Sequence, residues 1–155
     1  MNLTSQPAPL TILLADDDID DRSFFDKALR EIPILTQLTS VSDGEKLMKY
    51  LSVNSKNLPD VLFLDLSMPR KTGFECLTEI KEDEKLKDIP VVVFTTSFGR
   101  GIDFEQSLIK TLSSIGSLEY IRKPSDIAQL KIIIHRVLCT IIEKKSQNKE
   151  EKANN

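Results

Sequence analysis

Acidic residues stand directly after two apolar runs of this chain. Asp16 and Asp17 follow the run at 10–15, and Asp65 follows the run at 61–64. Short runs rich in Val, Ile and Leu that alternate with helical patterns are typical of a parallel sheet covered on both faces. The strands of such a sheet end along one edge, where ligands bind. We therefore expect the three carboxylates to converge on one site.

Carboxylates gathered in this way require a proton or a cation. Two of them about 4 Å apart repel each other by roughly 1–4 kcal/mol, depending on the local dielectric. Their hard oxygen atoms suit Mg²⁺, which prefers octahedral oxygen coordination. Helix capping would explain the nearby Asp18, Asp20 and Asp21. It does not explain Asp65, which precedes no immediate helix, so we predict a magnesium site that includes this residue.

Two later apolar runs bring a hydroxyl group and an amine to the same edge. The run at 91–94 ends on Thr95 and Thr96, and the run at 118–121 leads into an Arg-Lys-Pro sequence that contains Lys123. A lysine that ends a buried strand beside carboxylates is a poor candidate for a solvated surface amine. The pattern therefore predicts a site that combines carboxylates, a hydroxyl group and an ammonium group.

Five strands alternate with five predicted helices. The strands are predicted at 10–15, 34–41, 60–65, 89–95 and 118–122. Helices are predicted from Asp18, after the capping-box sequences at 42–45 and 72–75, over 102–115 and after Ser125. This order predicts an α/β fold, a five-stranded parallel sheet that is doubly wound, with helices on both faces.

The length of 155 residues suits one domain. We predict a flexible lead-in at 1–9, a single domain at 10–145 and a polar, disordered tail at 146–155.

The net charge of −3 gives no basic footprint for nucleic acid. No segment has the character of a signal peptide or the length of a membrane span, so we expect a cytoplasmic protein that contacts no membrane. Cys76 and Cys139 lack the spacing of a metal or redox pair and are predicted to be buried free thiols.

Together, these motifs resemble the receiver domain of two-component response regulators, of the single-domain CheY-like type. The resemblance spans about 10–142 and rests on Asp16-Asp17, Asp65-x-x-Met68-Pro69-x-x-x-Gly73, Thr95 and Lys123-Pro124, in that order. It implies the strand order 2-1-3-4-5, which is known for this fold. It also implies a stand-alone regulator that signals through a phosphorylation-dependent protein-interaction surface.

The resemblance implies a role for each site residue. Asp65 would accept a phosphoryl group from a sensor histidine kinase or a histidine phosphotransfer protein. Mg²⁺ would lie between Asp17, Asp65 and the backbone carbonyl of Ser67, with Asp16 holding a coordinated water. Lys123 would neutralise a phosphoryl oxygen as a compact point charge. The only histidine, His135, is interpreted as a surface residue of the last helix, so the phosphoryl group would come from another protein.

The resemblance also implies a conformational switch. Thr95 would move toward the new phosphoryl oxygens, and Tyr120 would turn into the vacated space. Many relatives carry a smaller residue at the position of Thr96, so this side chain is predicted to narrow access to the acceptor and to slow dephosphorylation. A cis peptide bond before Pro124 would aim Lys123 inward.

Two enzyme classes are excluded because the chain lacks a residue or turn that each of them requires. A phosphatase of the haloacid-dehalogenase type needs a second aspartate two residues after the nucleophile, where this chain has Ser67. A dinucleotide-binding domain needs a glycine-rich turn after the first strand, and no such turn is present. The remaining alternative is a pseudo-receiver that acts as a phosphorylation-independent contact module.

The last helix has a wider apolar stripe than one packed face requires. Ile132 and Ile142 extend this stripe. Deep packing along the sheet would explain them, as would a surface for an effector protein or a homodimer. Both interpretations stay open on the sequence.

Overall fold

The computed structural model describes residues 8–96 and 101–154, in which five strands alternate with five helices. The elements are β1 (Leu10–Ala15), α1 (Ile19–Arg30), β2 (Thr36–Val41), α2 (Gly44–Val53), β3 (Val61–Leu64), α3 (Gly73–Glu82), β4 (Val91–Thr95), α4 (Ile102–Ile115), β5 (Glu119–Arg122) and α5 (Ile127–Asn154). Most of the predicted lead-in lies outside the described residues. The predicted order of elements is confirmed.

All five strands are parallel, and their order across the sheet is β2-β1-β3-β4-β5. This is the predicted doubly wound arrangement. Because side chains alternate along a strand, β1 faces two separate cores. Ile12 and Leu14 pack with α1 and α5, whereas Leu13 and Ala15 pack with α2, α3 and α4. Helices therefore cover both faces, and the strand ends are left free to form a site.

Three aromatic rings form the centre of the core between the sheet and α1. Phe25 contacts Phe63 and Phe94 edge-on, with ring centroids 4.9 and 5.8 Å apart. All three are buried, and burying each such side chain stabilises the fold by about 1.5–3 kcal/mol. This packing fixes α1 against β3 and β4 and thereby positions the residues at the ends of those strands.

Short polar side chains begin four of the five helices in the described part of the chain. Asp18 caps α1, where the sequence predicts a helix start. Thr72 and Glu75 form the predicted capping box of α3. The predicted box at the start of α2 is wrong in detail, because Asp43 rather than Ser42 accepts the capping bond. The start of α5 is similar: the side chain of Asp126, not Ser125, accepts from a helical amide. In both pairs the aspartate carboxylate is the stronger acceptor, since a charged group strengthens the hydrogen bond.

The last helix is longer than predicted. We expected disorder from residue 146, but α5 continues to Asn154. The extension contains Lys, Glu, Gln and Ala, which have high helix propensity, and it has no Gly or Pro to end the helix. The absence of an apolar stripe there reflects a solvated helix rather than a disordered segment.

The apolar stripe of α5 is explained mainly by deep packing. Five of its apolar residues are buried in the core: Leu130, Ile134, Val137, Leu138 and Ile141. Ile132 is 68% exposed and Ile142 is 37% exposed. None of the helices in 8–96 and 101–154 combines the length and the hydropathy that a membrane span requires.

Candidate functional site

Three carboxylates meet where β1 and β3 end. The two strands pair so that Ala15 lies opposite Leu64, and the Asp65 amide donates to the Ala15 carbonyl at 3.0 Å. Asp16, Asp17 and Asp65 each offer an oxygen atom, and these atoms lie within 4.8 Å of one another. Asp16 and Asp65 are buried, whereas Asp17 is exposed. The acidic cluster is therefore anchored in the core and opens to solvent on the side of Asp17.

The Lys123 ammonium group contacts two members of this cluster and one further carboxylate, that of Asp21. Its Nζ lies 2.6 Å from Asp16 Oδ2, 2.9 Å from Asp21 Oδ2 and 3.2 Å from Asp65 Oδ2. The lysine side chain is only 8% exposed. Its backbone amide donates to the Thr95 carbonyl at 2.8 Å, which fixes the end of β5 beside β4. One buried cation thus offsets the mutual repulsion of three carboxylates.

Burial and the neighbouring charge act in opposite directions on the pKa of Lys123 and on the pKa of Asp16. Burial disfavours the ammonium form of Lys123, but hydrogen bonds to Asp16 and Asp21 hold its pKa above the ordinary value. Burial raises the pKa of Asp16, although the bond from Lys123 counteracts part of this increase. An acid whose pKa is raised on folding loses stability as the pH rises past its unfolded pKa. At neutral pH, Asp16 therefore costs stability, and the lysine limits that cost.

The two oxygen atoms of Asp65 have different partners. Thr95 Oγ1 donates to Asp65 Oδ1 at 2.9 Å, and the Ser67 amide donates to the same oxygen at 3.2 Å. The other oxygen, Oδ2, accepts from Lys123. This carboxylate is therefore held in one orientation by groups from β4, β5 and the loop after β3.

The loop after Asp65 returns close to the strand end through a glycine. A Cβ atom at Gly73 would lie 2.3 Å from the Asp65 carbonyl oxygen, well inside van der Waals contact. The Gly73 amide donates to the Leu66 carbonyl at 3.1 Å. The start of α3 can approach the acceptor backbone so closely only because this position lacks a side chain.

The predicted cis peptide bond before Pro124 is wrong. Every peptide bond in the described part of the chain is trans, including Lys123–Pro124. The trans form is the favoured isomer by about 0.5–1 kcal/mol even before proline. Lys123 reaches Asp16 and Asp65 from the end of β5 without the cis isomer.

The predicted switch residues occupy different environments. Thr95 is buried beside Asp65, whereas Thr96 is exposed. Tyr120 is half-buried on β5, and its hydroxyl group donates to Glu105 Oε2 at 3.2 Å. Burial and the Glu105 charge both raise the pKa of Tyr120, so its hydroxyl group stays protonated at neutral pH.

Three contributing residues escaped the sequence analysis. Asp21 contacts Lys123, and both Glu105 and Arg122 form the polar cluster around Tyr120. Helix capping explains Asp21 on the sequence alone, and its place in the first turn of α1, beside the end of β1, is the only signal that could have linked it to the site. No sequence signal links Glu105 to Arg122, because the pair forms only when α4 packs against β5.

The cysteines and the histidine lie outside this site. Cys76 is buried, as predicted, and burial raises its pKa to about 12, so the thiol stays protonated. Cys139 is only half-buried, which corrects the prediction for that residue. His135 is exposed on α5, as predicted.

A family model described as the response regulator receiver domain matches residues 12–135. Response regulator Rcp1 of Synechocystis sp. is 38% identical over 93 residues, which cover 57% of this chain and 63% of Rcp1. Two-component response regulator ARR15 of Arabidopsis thaliana is 31% identical over 147 residues, covering 87% of this chain and 68% of ARR15. The matches to Rcp1 and to FilR2 of Methanothrix harundinacea cover 63% and 59% of those proteins, less than two thirds of their lengths.

Solved structures give the same result for the fold. The phosphorylated cyanobacterial phytochrome response regulator RcpA superposes with a TM-score of 0.72 at 32% identity, over 84% of this chain and 91% of RcpA. The Mn²⁺-bound form of Rcp1 gives a TM-score of 0.70 at 28% identity, over 83% of this chain and 91% of that chain. The fold is therefore that of CheY-like receiver domains.

Proposed function

Because the chain belongs to the response regulator receiver domain family, we propose that it accepts a phosphoryl group on Asp65 from a histidine kinase or a histidine phosphotransfer protein. One observation carries this proposal. The carboxylate of Asp65 is held at once by Lys123 and Thr95, beside two further carboxylates. A purely structural buried carboxylate would need one hydrogen-bonding partner. It would not need an ammonium group, a hydroxyl group and two further carboxylates around it.

The transfer needs a nucleophile whose negative charge does not repel the phosphoryl group. In the proposed step, one Asp65 oxygen attacks phosphorus, and the phosphorus–nitrogen bond of the donor phosphohistidine breaks. The bonding electrons leave with the imidazole nitrogen, which takes up a proton from solvent. Lys123 neutralises a transferred phosphoryl oxygen, and Thr95 donates a hydrogen bond to it.

The acidic cluster fits a divalent cation. Asp16, Asp17 and Asp65 offer hard oxygen atoms in mutual reach, and the Ser67 carbonyl is the proposed backbone ligand. When bound, Mg²⁺ would supply positive charge for the incoming phosphoryl oxygens. One structural neighbour, Rcp1, is known in an Mn²⁺-bound form, which supports a divalent cation here.

Signal output would pass through the surface formed by α4, β5 and α5. Thr95 links Asp65 to β4, which pairs with β5 beside Tyr120. Phosphorylation would add acceptor oxygens at Asp65. Through Thr95, they would shift the equilibrium between two conformations of the surface around Tyr120. We propose a downstream effector protein as the partner, a homodimer through α5 as an additional state, and the cytoplasm as the compartment.

Replacement of the exposed metal ligand tests the cation site. Asp17→Asn is expected to change the free energy of unfolding without Mg²⁺ by no more than about 0.5 kcal/mol, because the side chain is exposed. At a Mg²⁺ concentration about a hundred times its Kd, the unmodified protein should gain about 2.7 kcal/mol. The variant should gain much less in urea unfolding with and without Mg²⁺. Equal stabilisation of both proteins would remove Asp17 from the site.

Thr96 is proposed to restrict access of water to the acyl phosphate. Thr96→Ala is expected to shorten the lifetime of phosphorylated Asp65 several-fold, measured by the decay of the phosphorylated mass after removal of the donor. Thr111→Ala, at another exposed threonine, is the matched control. An unchanged lifetime in the Thr96 variant would contradict this role.

The whole proposal is tested by intact-mass measurement after incubation with acetyl phosphate and Mg²⁺. One added phosphoryl group supports the receiver function, and none would favour the pseudo-receiver. A pull-down that compares the Mg²⁺–beryllofluoride form with the untreated protein would then identify the effector. A partner retained only by the activated form is the expected result.

A further inference from the structure

A cleft of about 620 Å³ lies at the edge of the sheet opposite Asp65. Its floor and walls come from the segments that precede β3, β4 and β5, from the end of α3, and from the C-terminal part of α5. The volume lies in the range typical of small-molecule sites. No residue of the phosphorylation site lines this cleft.

The cleft is positively charged although the chain is not. Five lysines and two aspartates line it, a net charge of +3, whereas the whole chain carries −3. The lysines are Lys81, Lys85, Lys87, Lys144 and Lys145, and the aspartates are Asp60 and Asp88. Lysines concentrated in a concave surface of an acidic protein attract anions to that surface.

Only part of this positive charge is neutralised by the protein. Lys145 pairs with Asp60 at 2.8 Å, and Lys87 pairs with Glu84 at 2.8 Å. Within the described ranges, Lys81, Lys85 and Lys144 form no ion pair with a carboxylate. Three ammonium groups therefore face the cleft without an ion pair, and the charge of Asp88 acts on Lys81 without direct contact.

Lys81 is held rigidly in the cleft wall. Its Nζ donates to the Lys87 carbonyl at 2.9 Å and to the Ile89 carbonyl at 2.8 Å. Its alkyl chain passes close to Gly116, where a Cβ atom would lie 3.1 Å from the lysine Cγ and Cδ. Gly116 has a φ of 128°, a conformation that favours glycine. The ammonium group is thus fixed before any ligand arrives, which limits the entropy cost of binding.

Ser117 and Asn148 add polar groups to the lining, and part of the remaining wall is apolar. Leu58, Ile89, Val91, Leu118 and Ile141 contribute to it, and Leu118 is 36% exposed. We propose that the cleft binds a small molecule that carries a phosphate, sulfonate or carboxylate group on an apolar body. The ammonium groups of Lys81 and Lys144 bind the anionic group, and the apolar side chains contact the body.

The test uses the full chain and 8-anilinonaphthalene-1-sulfonate, an apolar ring system that carries one sulfonate. We expect saturable binding at one site by fluorescence titration, with NMR amide shifts concentrated at Gly116, Ser117 and Leu118. The neutral probe N-phenyl-1-naphthylamine should bind at least tenfold more weakly, since it lacks the anionic group. Inorganic sulfate, which lacks the apolar body, should also bind weakly.

Two charge-removing variants and one control locate the binding site. Lys144→Gln, at an exposed helix position, should weaken binding of the sulfonate probe at least fivefold without loss of folding. The single variant Lys81→Met should weaken binding of the sulfonate probe by a larger factor than Lys144→Gln does. Lys49→Gln, which removes an exposed charge on α2, should leave the affinity unchanged. Equal affinities in all three variants, equal binding of the neutral probe, or amide shifts confined to α4 and β5 would each overturn the proposal.

Discussion

Asp65→Asn is expected to abolish phosphorylation of this protein by acetyl phosphate and by any cognate histidine kinase. The amide nitrogen and oxygen of asparagine are not competent nucleophiles toward phosphorus, whereas the carboxylate is. Intact-mass spectrometry with Mg²⁺ should show one added phosphoryl group in the unmodified protein and none in the variant.

The variant should remain folded, so the loss can be assigned to chemistry. An asparagine keeps the oxygen that accepts from Thr95 and Ser67. It also removes one of three negative charges around a single ammonium group, so the free energy of unfolding should fall by no more than about 1 kcal/mol. Asp26→Asn, on α1 and outside the site, is the matched control and should be phosphorylated normally. A phosphoryl group that remains in the Asp65 variant would show that the acceptor is another residue.

Lys123→Met is expected to produce the largest loss of stability. Methionine has a similar length but no charge, so Asp16 and Asp65 would stay buried without their cation. Removing one partner from a buried ion pair typically costs about 3–5 kcal/mol. Because this site opens to solvent on one side, we expect a loss of about 3 kcal/mol, measured by urea unfolding at pH 7 without Mg²⁺.

The pH dependence identifies the cause of that loss. Burial already raises the pKa of Asp16, and removal of Lys123 should raise it further, because the lysine bond is what lowers it. Folded Lys123→Met would then bind more protons than the unfolded chain near pH 5, so its stability should increase as the pH falls from 7 to 5. Mg²⁺ should also restore part of the stability at pH 7.

A double-mutant cycle separates charge from packing. Asp16→Asn combined with Lys123→Met should be more stable than Lys123→Met alone, because one uncompensated carboxylate is gone. Additive losses in the double variant, or a loss that is the same at pH 5 and pH 7, would be inconsistent with uncompensated charge as the cause.

Several features of the fold and site are dictated by local sequence patterns. β1, β3 and β4 are short apolar runs, and a shorter run at 118–121 precedes Lys123, so the ends of these strands can be located from the residue that interrupts each run. Asp16, Asp65, Thr95 and Lys123 were placed at one edge by this reasoning, and they lie together in the structure. Parallel strands must end on a common edge, so the prediction needed no knowledge of the packing of the helices.

Other features depend on contacts between residues far apart in the chain. Asp21 and Lys123 are 102 positions apart, and Glu105 meets Arg122 only where α4 packs against β5. The lysine-lined cleft likewise requires α5 to pass beside the segments that precede β3 and β4. Side-chain contacts of this kind are set by the angle and distance at which whole elements pack, and no periodicity in one segment encodes those quantities. The order of residues in the chain is therefore enough to predict which sheet edge holds Asp65. The contact of Asp21 with Lys123 and the lysine-lined cleft are determined only by the packing of whole elements.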